Sequence, residues 1–202
     1  MLVITGWNSQ IAVELRKLLD EKSPYGDWDD CIRATYDTMP LDAERHFFCS
    51  GLLLPKQISE MTGEEYIKTF AVNYSYPMLA CESIFATNPY ARICVMGSES
   101  GYAGSHNMLY ASAKRALHTY VETKKLGPDQ QLVCVSPGII GDAGMTLRRT
   151  DLTTLVERQS VHPKRRFVTS LEVARLVRFL LYEDEGYVCN TVVRMNGGEH
   201  VR

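Results

Sequence analysis

Tyr110 and Lys114 stand four residues apart in the run Tyr110-Ala-Ser-Ala-Lys114. On a helix both side chains share one face, one turn from each other. An ammonium near a phenol favours the phenolate. At ~4 Å and an effective dielectric of ~20 the attraction is about 4 kcal/mol before solvation costs, or roughly three pKa units. That brings a phenol from about 10 towards neutrality, where it can serve as an acid or base. Tyrosine and lysine are also ordinary residues of an amphipathic helix, so the weight of the pair rests on what surrounds it.

The elements that would position the pair can be read from periodicity and punctuation. Residues 1–5, MLVIT, form a short apolar strand that runs into Gly6. Ile11, Leu15, Leu18 and Leu19 then recur at helical spacing. Strand, glycine turn, helix is the opening of a dinucleotide-binding unit, in which the helix N-terminus offers N–H groups to a phosphate. Only the first of its three expected glycines is present; Gln10 and Ala12 take the other two places. Residues 23–26 make a turn and 27–30, Asp-Trp-Asp-Asp, an acidic loop. Residues 31–36 and 45–49 read as strands, with too little chain between them for another strand and its crossover helix, a unit of ~30 residues. Thr62 and Glu65 form a capping box that starts a helix through Asn73. Pro77 should kink or split that helix, which places Asn73 at an irregularity. A helix over 78–85, a strand over 92–96, a loop at 97–101 and the Tyr110 helix follow, the last stopped by Gly127-Pro128. A strand over 131–136 ends at Pro137-Gly138. Thr169 and Glu172 cap a further helix to Leu181, and a strand over 187–195 closes at Asn196-Gly197-Gly198. Alternating strands and helices predict an α/β fold, a single doubly wound, Rossmann-like domain with a parallel sheet in three αβα layers. Gly6, Gly51, Ser98 and Pro137-Gly138 all follow strands, so they should converge at the carboxyl edge of that sheet, where such folds bind ligands.

The bulk numbers exclude several classes. The chain has 202 residues, 45% apolar and 23% charged, the composition of an ordinary globular domain. A net charge of −2 argues against a nucleic-acid binder. No apolar run is long enough to span a membrane, and no signal peptide is visible after Met1, which points to the cytoplasm. The six cysteines form no CxxC pair, so buried, reduced thiols are expected rather than disulfides or zinc. His106, His118 and His162 lack metal spacing and read as solvated or structural; no metal ligand set is expected.

Taken in order, these residues resemble the short-chain dehydrogenase/reductase family along nearly the whole chain. Thr5-Gly6 is similar to its TGxxxGxG start, Cys49-Ser50-Gly51 to its NAG, and Val72-Asn73 to its helical asparagine. Gly97-Ser98 matches its catalytic serine, twelve residues before the tyrosine, and Tyr110 and Lys114 match YxxxK. Ser136-Pro137-Gly138 matches the PG turn, and Asn196-Gly197-Gly198 the C-terminal DGG. The resemblance implies hydride transfer between NAD or NADP and a small carbonyl or alcohol substrate. Tyr110 would exchange the proton, Lys114 would lower its pKa and hold the nicotinamide ribose, Ser98 would bond the reacting oxygen, and Asn73 would hold a relay water. The cofactor cleft would be lined by Gly6, Asn8, Ser9, Gln10, Ile11, Asp37, Ser50, Gly51, Lys114, Pro137, Gly138 and Ile139. Residues 139–167 would form a substrate-side insertion. A homodimer or homotetramer is implied, paired through the helices that carry Asn73 and Tyr110.

The departures from the family pattern fall on the dinucleotide half. Gln10 puts a side chain where backbone should approach pyrophosphate. Asp142 stands five after Pro137, where the family often has a threonine, and a carboxylate there would repel phosphate; Thr146 is a substitute further along. Asp37 leans to NAD, because an acid near the end of the second strand can bond the ribose hydroxyls, while Arg33 pulls towards NADP. These changes leave two alternatives to the oxidoreductase: a non-catalytic nucleotide-binding or assembly protein of the same fold, and an epimerase or dehydratase that shares the tyrosine and lysine. Lys164-Arg165-Arg166 reads as a surface charge run, with a clamp for an anionic substrate as the minority reading.

Overall fold

The computed structural model describes residues 1–20 and 31–199. The turn at 23–26 and the acidic loop at 27–30 lie outside the described residues. Among the described residues six parallel strands make one sheet: β1 (Leu2–Thr5), β2 (Cys31–Arg33), β3 (Arg45–Phe48), β4 (Arg92–Met96), β5 (Gln131–Pro137) and β6 (Thr191–Met195). Their order is β2-β1-β3-β4-β5-β6. Period-two alternation sends side chains to both faces, and both faces are covered, which is why the strands read as continuous apolar runs. Leu2, Ile4, Phe47, Cys94, Met96, Val133 and Val135 pack against α1 (Gln10–Asp20) and α8 (Ser170–Arg178). Val3, Phe48, Ile93, Val95, Leu132 and Cys134 pack on the other face against α3 (Tyr76–Thr87) and α5 (Met108–Thr123). Leu2, Ile4, Leu15, Ile84 and Leu117 are among the large side chains lost entirely from solvent, each contributing roughly 1.5–3 kcal/mol.

The order of the strands shows what the short early segment costs the fold. Beyond β1 lies one strand, β2, reached through α1. The chain then returns over β1 to β3 through residues 34–44 without a helix, and Ala34, Met39 and Ala43 bury into the α3/α5 face on the way. The second strand expected at 31–36 ends at Arg33. Ala34 makes the last rung to Ile4 (3.0 Å), and a turn from Thr35 to Thr38, closed by their hydroxyls at 2.9 Å, takes the chain away. Asp37 therefore sits in a turn four residues past the strand, and Arg33 is the residue at its end.

Both capping boxes form. Thr62 Oγ1 accepts from Glu65 N at 3.2 Å and opens α2 (Gly63–Phe70); Thr169 Oγ1 accepts from Glu172 N, also at 3.2 Å, and opens α8. The chain stays helical through Pro77. A π turn at Ala71–Ser75 joins α2 to α3 just ahead of Pro77, whose missing N–H leaves the Asn73 carbonyl without its α-helical donor. The last strand begins at Thr191, not at 187, because Asn190 takes φ +48° and donates through Nδ2 to the carbonyls of Val121 and Lys124, closing the end of α5. No described helix is long and apolar enough to cross a membrane. All six cysteines are free thiols.

Candidate active site

Ser98, Tyr110 and Lys114 meet at the carboxyl edge of β4. The loop after β4 is tied to β5 by Gly97 N to Val135 O (2.8 Å) and Glu99 N to Pro137 O (2.9 Å). It leads through α4 (Ser100–Ala103) into α5. Asn107 caps α5: its Oδ1 accepts from Tyr110 N at 2.9 Å, while Nδ2 donates to Leu54 O at 3.0 Å. Tyr110 and Lys114 are 7% and 3% exposed, and Ser98, at the end of β4, is near enough to the Tyr110 phenol to influence its pKa.

The electrostatics differ from the expectation drawn from spacing alone. Burial raises the Tyr110 phenol above its ordinary value, with Ser98 offsetting part of the rise. Burial outweighs the neighbouring ammonium: Lys114 Nζ donates to Met96 O at 2.7 Å and lies 5.8 Å from the Tyr110 ring centre. Burial also pushes Lys114 down to about 8. Tyr110 is thus a neutral phenol in the resting protein, beside an ammonium close to losing its proton.

Asn73 is fully buried in the π turn. Its Nδ2 donates to Leu52 O (2.7 Å) and Thr69 O (2.8 Å), and its Oδ1 accepts from Leu52 N (3.3 Å). The side chain holds the loop after β3 in place, and both its donors are used. Asn73 and Asn107 together fix residues 52–54 along the side of the site.

The residues expected to take the cofactor, Gly6, Asn8, Ser9, Gln10 and Ile11, gather at the start of α1, with Ser50 and Gly51 following β3. Gly6 has φ +67°, and a Cβ there would stand 2.6 Å from the carbonyl carbon of Cys49 and 2.7 Å from Ser50 N. Only glycine allows the loops after β1 and β3 to cross this closely. Ser9 caps α1, its Oγ accepting from Ala12 N at 3.2 Å and lying 3.0 Å from Cys49 Sγ. The Gln10 side chain does not reach over the helix end; Nε2 donates to Glu14 Oε1 at 2.9 Å, back along α1. Asp142 is likewise turned away from the role its position suggested. Its Oδ1 accepts from Ser170 N (2.8 Å) and Ser170 Oγ (2.9 Å), anchoring the start of α8. Tyr36 fills the space beside Ser50, between Phe48 and Tyr76, with its hydroxyl 3.5 Å from Thr5 Oγ1. Pro137, Gly138 and Ile139 border the other side, where Gly138 N donates to Met195 O at 3.1 Å. Asp37 is exposed in its turn, as is Arg33 at the strand end. Period two puts Arg33 on the same face as Cys31, which packs on the α1 side.

Other functional residues were not read from spacing. Asn107 had a local signal, an N-cap type three residues before Tyr110. Glu99, 4% exposed, receives Arg194 bidentately (2.9 and 2.6 Å) and Asn196 Nδ2 (3.0 Å), so the Ser98 loop is clamped to β6. Its partners lie 95 and 97 residues away, beyond any local pattern. Of the basic run, Arg166 is engaged with both oxygens of Glu172 at 2.7 Å and steadies the start of α8.

The family profile described as enoyl-(acyl carrier protein) reductase matches residues 45–200. The chain belongs to the short-chain dehydrogenase/reductase family. It is similar to the 3-oxoacyl-[acyl-carrier-protein] reductase FabG of Buchnera aphidicola subsp. Schizaphis graminum, 24% identical over 159 residues. That match spans 75% of this chain but 64% of the relative, under two thirds of its length. A short-chain dehydrogenase/reductase from Brucella melitensis, described as glucose/ribitol dehydrogenase, superposes with a TM-score of 0.81 at 22% identity, covering 100% of this chain and 96% of that one. BdcA in complex with NADPH gives a TM-score of 0.81 at 16% identity, covering 99% and 94%. A short-chain dehydrogenase family protein from Francisella tularensis gives 0.79 at 16%, covering 98% and 97%. These likenesses establish the fold.

Proposed function

We propose that the protein is an NAD(P)-dependent oxidoreductase acting on a carbonyl/alcohol pair. The observation that carries this is the buried Tyr110 with buried Lys114 one turn along α5 and Ser98 beside the phenol at the end of β4. The residues of the cleft fit a nicotinamide dinucleotide: Gly6 keeps the loop against Ser50, the start of α1 is clear of the Gln10 side chain, and the Asp142 carboxylate is held by Ser170. When bound, that cofactor supplies or accepts the hydride.

The chain's own residues handle the proton. Ser98 Oγ bonds the substrate oxygen and orients it towards Tyr110. In the reducing direction Tyr110, held as a neutral phenol by burial, gives its proton to that oxygen. Lys114, still largely protonated at neutral pH, stabilises the phenolate left behind. Asn73 keeps the loop after β3 in register, and a relay water would bond its backbone carbonyl, whose α-helical donor is missing at Pro77.

Arg33 at the end of β2 supports NADP over NAD, since a cation there accommodates a 2′-phosphate and Asp37 has moved out of position. The NADPH bound by BdcA agrees with this. Residues 139–167 shape the substrate side: a Cβ on Gly51 would lie 3.2 Å from Met145 Cε, so α6 (Gly144–Leu147) reaches across from the PG turn to the loop after β3. A homo-oligomer paired through α2, α3 and α5 is part of the same reading, supported by exposed Tyr66, Ile67 and Leu79. The free thiols suit a reducing, cytoplasmic setting.

Calorimetry with NAD, NADH, NADP and NADPH, followed by turnover of small ketones, aldehydes and 3-oxoacyl thioesters by nicotinamide absorbance, tests the reading. NADPH binding with turnover is expected. Tight binding with no turnover on the panel would instead support the non-catalytic reading, which the single strand beyond β1 favours.

A further inference from the structure

His118 lies one turn beyond Lys114 on α5 and has no part in the proton transfer above. It is fully buried. The loop that carries Ser98 is wrapped around its ring. A Cβ on Gly97 would stand 2.6 Å from Nε2, and one on Gly101 would stand 2.6 Å from Cε1 and 2.8 Å from Nδ1. Both glycines therefore leave room that the imidazole fills. Tyr102, from α4, stacks on the ring at 4.8 Å, and Arg194 lies over Tyr102 while holding Glu99. Inside this wrap Ser98 N donates to Nε2 at 3.5 Å, and Ser136 Oγ of β5 lies 3.4 Å from the same nitrogen.

Packing alone does not account for an imidazole here. Its Nδ1 is buried with no hydrogen-bond partner among the described residues, which costs stability that an apolar side chain of similar size would not lose. Burial, and next the neighbouring Lys114, hold the ring's pKa down to about 4, so it is neutral, and the Ser98 N–H directed at Nε2 assigns the lone pair to that nitrogen. That lone pair faces the one backbone N–H that fixes where Ser98 begins.

We propose that His118 is the positioning residue of the Ser98 loop: it accepts the Ser98 N–H, fills the space left by Gly97 and Gly101, and so sets where the Ser98 hydroxyl stands relative to Tyr110. The kinetic consequence rests on the function proposed above; the structural one does not.

The test compares His118→Leu, His118→Phe and His118→Gln. Leucine and phenylalanine keep apolar bulk between the glycines and Tyr102 but accept no N–H, whereas glutamine can present an amide oxygen near the place of Nε2. Native-state hydrogen exchange at the Ser98 amide should quicken about tenfold or more in the leucine and phenylalanine variants and stay slow in the glutamine variant. In turnover, His118→Leu should lower kcat about 10- to 100-fold with cofactor KM unchanged, as expected for a misplaced catalytic group. His118→Gln should restore most of it, and adding His118→Leu to Ser98→Ala should cost nothing further, because both act through one hydroxyl. Unchanged Ser98 exchange in the leucine and phenylalanine variants overturns the proposal, as do additive losses in the double variant. A wild-type protein with no turnover overturns the functional reading instead, and the exchange result still decides the role of His118.

Discussion

The two ends of the cleft are built by different means. At the β4–β5 end, Ser98, Tyr110 and Lys114 are held by buried polar contacts: Asn107 caps Tyr110, Met96 O holds Lys114, and Glu99 clamps the serine loop to Arg194. At the β1–β2 end the sheet has one strand beyond β1, no helix on the return to β3, and a tyrosine packed beside Ser50. The family profile begins at residue 45, so it covers the first end and leaves β1, α1 and β2 outside. The proton-transfer geometry needs a few groups placed within fractions of an ångström. A dinucleotide's distal half needs mainly a helix N-terminus, a close-approach glycine and a surface, and these can be rebuilt with fewer elements.

Several variants sharpen that contrast. The largest effect is expected from Gly6→Ala. Its φ of +67° and a Cβ 2.6 Å from the Cys49 backbone leave the side chain no space, so stability should drop by about 2–3 kcal/mol and cofactor binding should be lost. Thermal unfolding and calorimetry would show it; a stable Gly6→Ala protein that binds cofactor would mean the loops do not cross as described.

Lys114→Met should have the opposite sign on stability. Burial lowers the folded-state pKa of Lys114 to about 8, below the ~10.4 of an unfolded lysine, so the unfolded state binds more protons between those values. Wild-type stability should therefore gain as pH rises from about 8 towards 10.4 from this group, and the burial penalty is fully present below about 8. Replacing the ammonium by methionine should raise stability at pH 7 by about 2–3 kcal/mol while removing activity. Denaturant melts at pH 7 and pH 10 would check this. An unstable methionine variant would mean that the bond to Met96 O outweighs burial.

A smaller effect is expected at the cofactor end. Arg33→Ala should weaken NADPH about tenfold, roughly the value of one charge-assisted contact, and leave NADH nearly unchanged. Equal weakening of both would remove Arg33 from 2′-phosphate recognition.

Much of the fold was legible because its rules are local. The capping boxes at Thr62 and Thr169 and the strands over 92–96 and 131–136 follow from spacing and side-chain type, as does the Tyr110–Lys114 face. What was not legible depends on partners distant in the chain. The last strand starts late because Asn190 closes α5, and the second ends early because the Thr35–Thr38 turn takes over. The kink or split expected near Pro77 takes the form of a π turn that holds Asn73, the irregularity foreseen there. The sign of the Tyr110 shift was also out of reach, since helical spacing placed Lys114 near the tyrosine but could not show how deeply the phenol is buried. Position made Gln10 and Asp142 look obstructive but could not show that their side chains bond Glu14 and Ser170.

The central claim, that the β4–β5 end is an acid/base site, is tested most directly by single-turnover kinetics of Tyr110→Phe against wild type on the best carbonyl substrate with NADPH. The phenylalanine keeps the ring and its packing and removes only the phenolic proton. Cofactor affinity should be unchanged and the rate of reduction lower by about 10²–10⁴; a rate within a few-fold of wild type would mean that Tyr110 is not the acid.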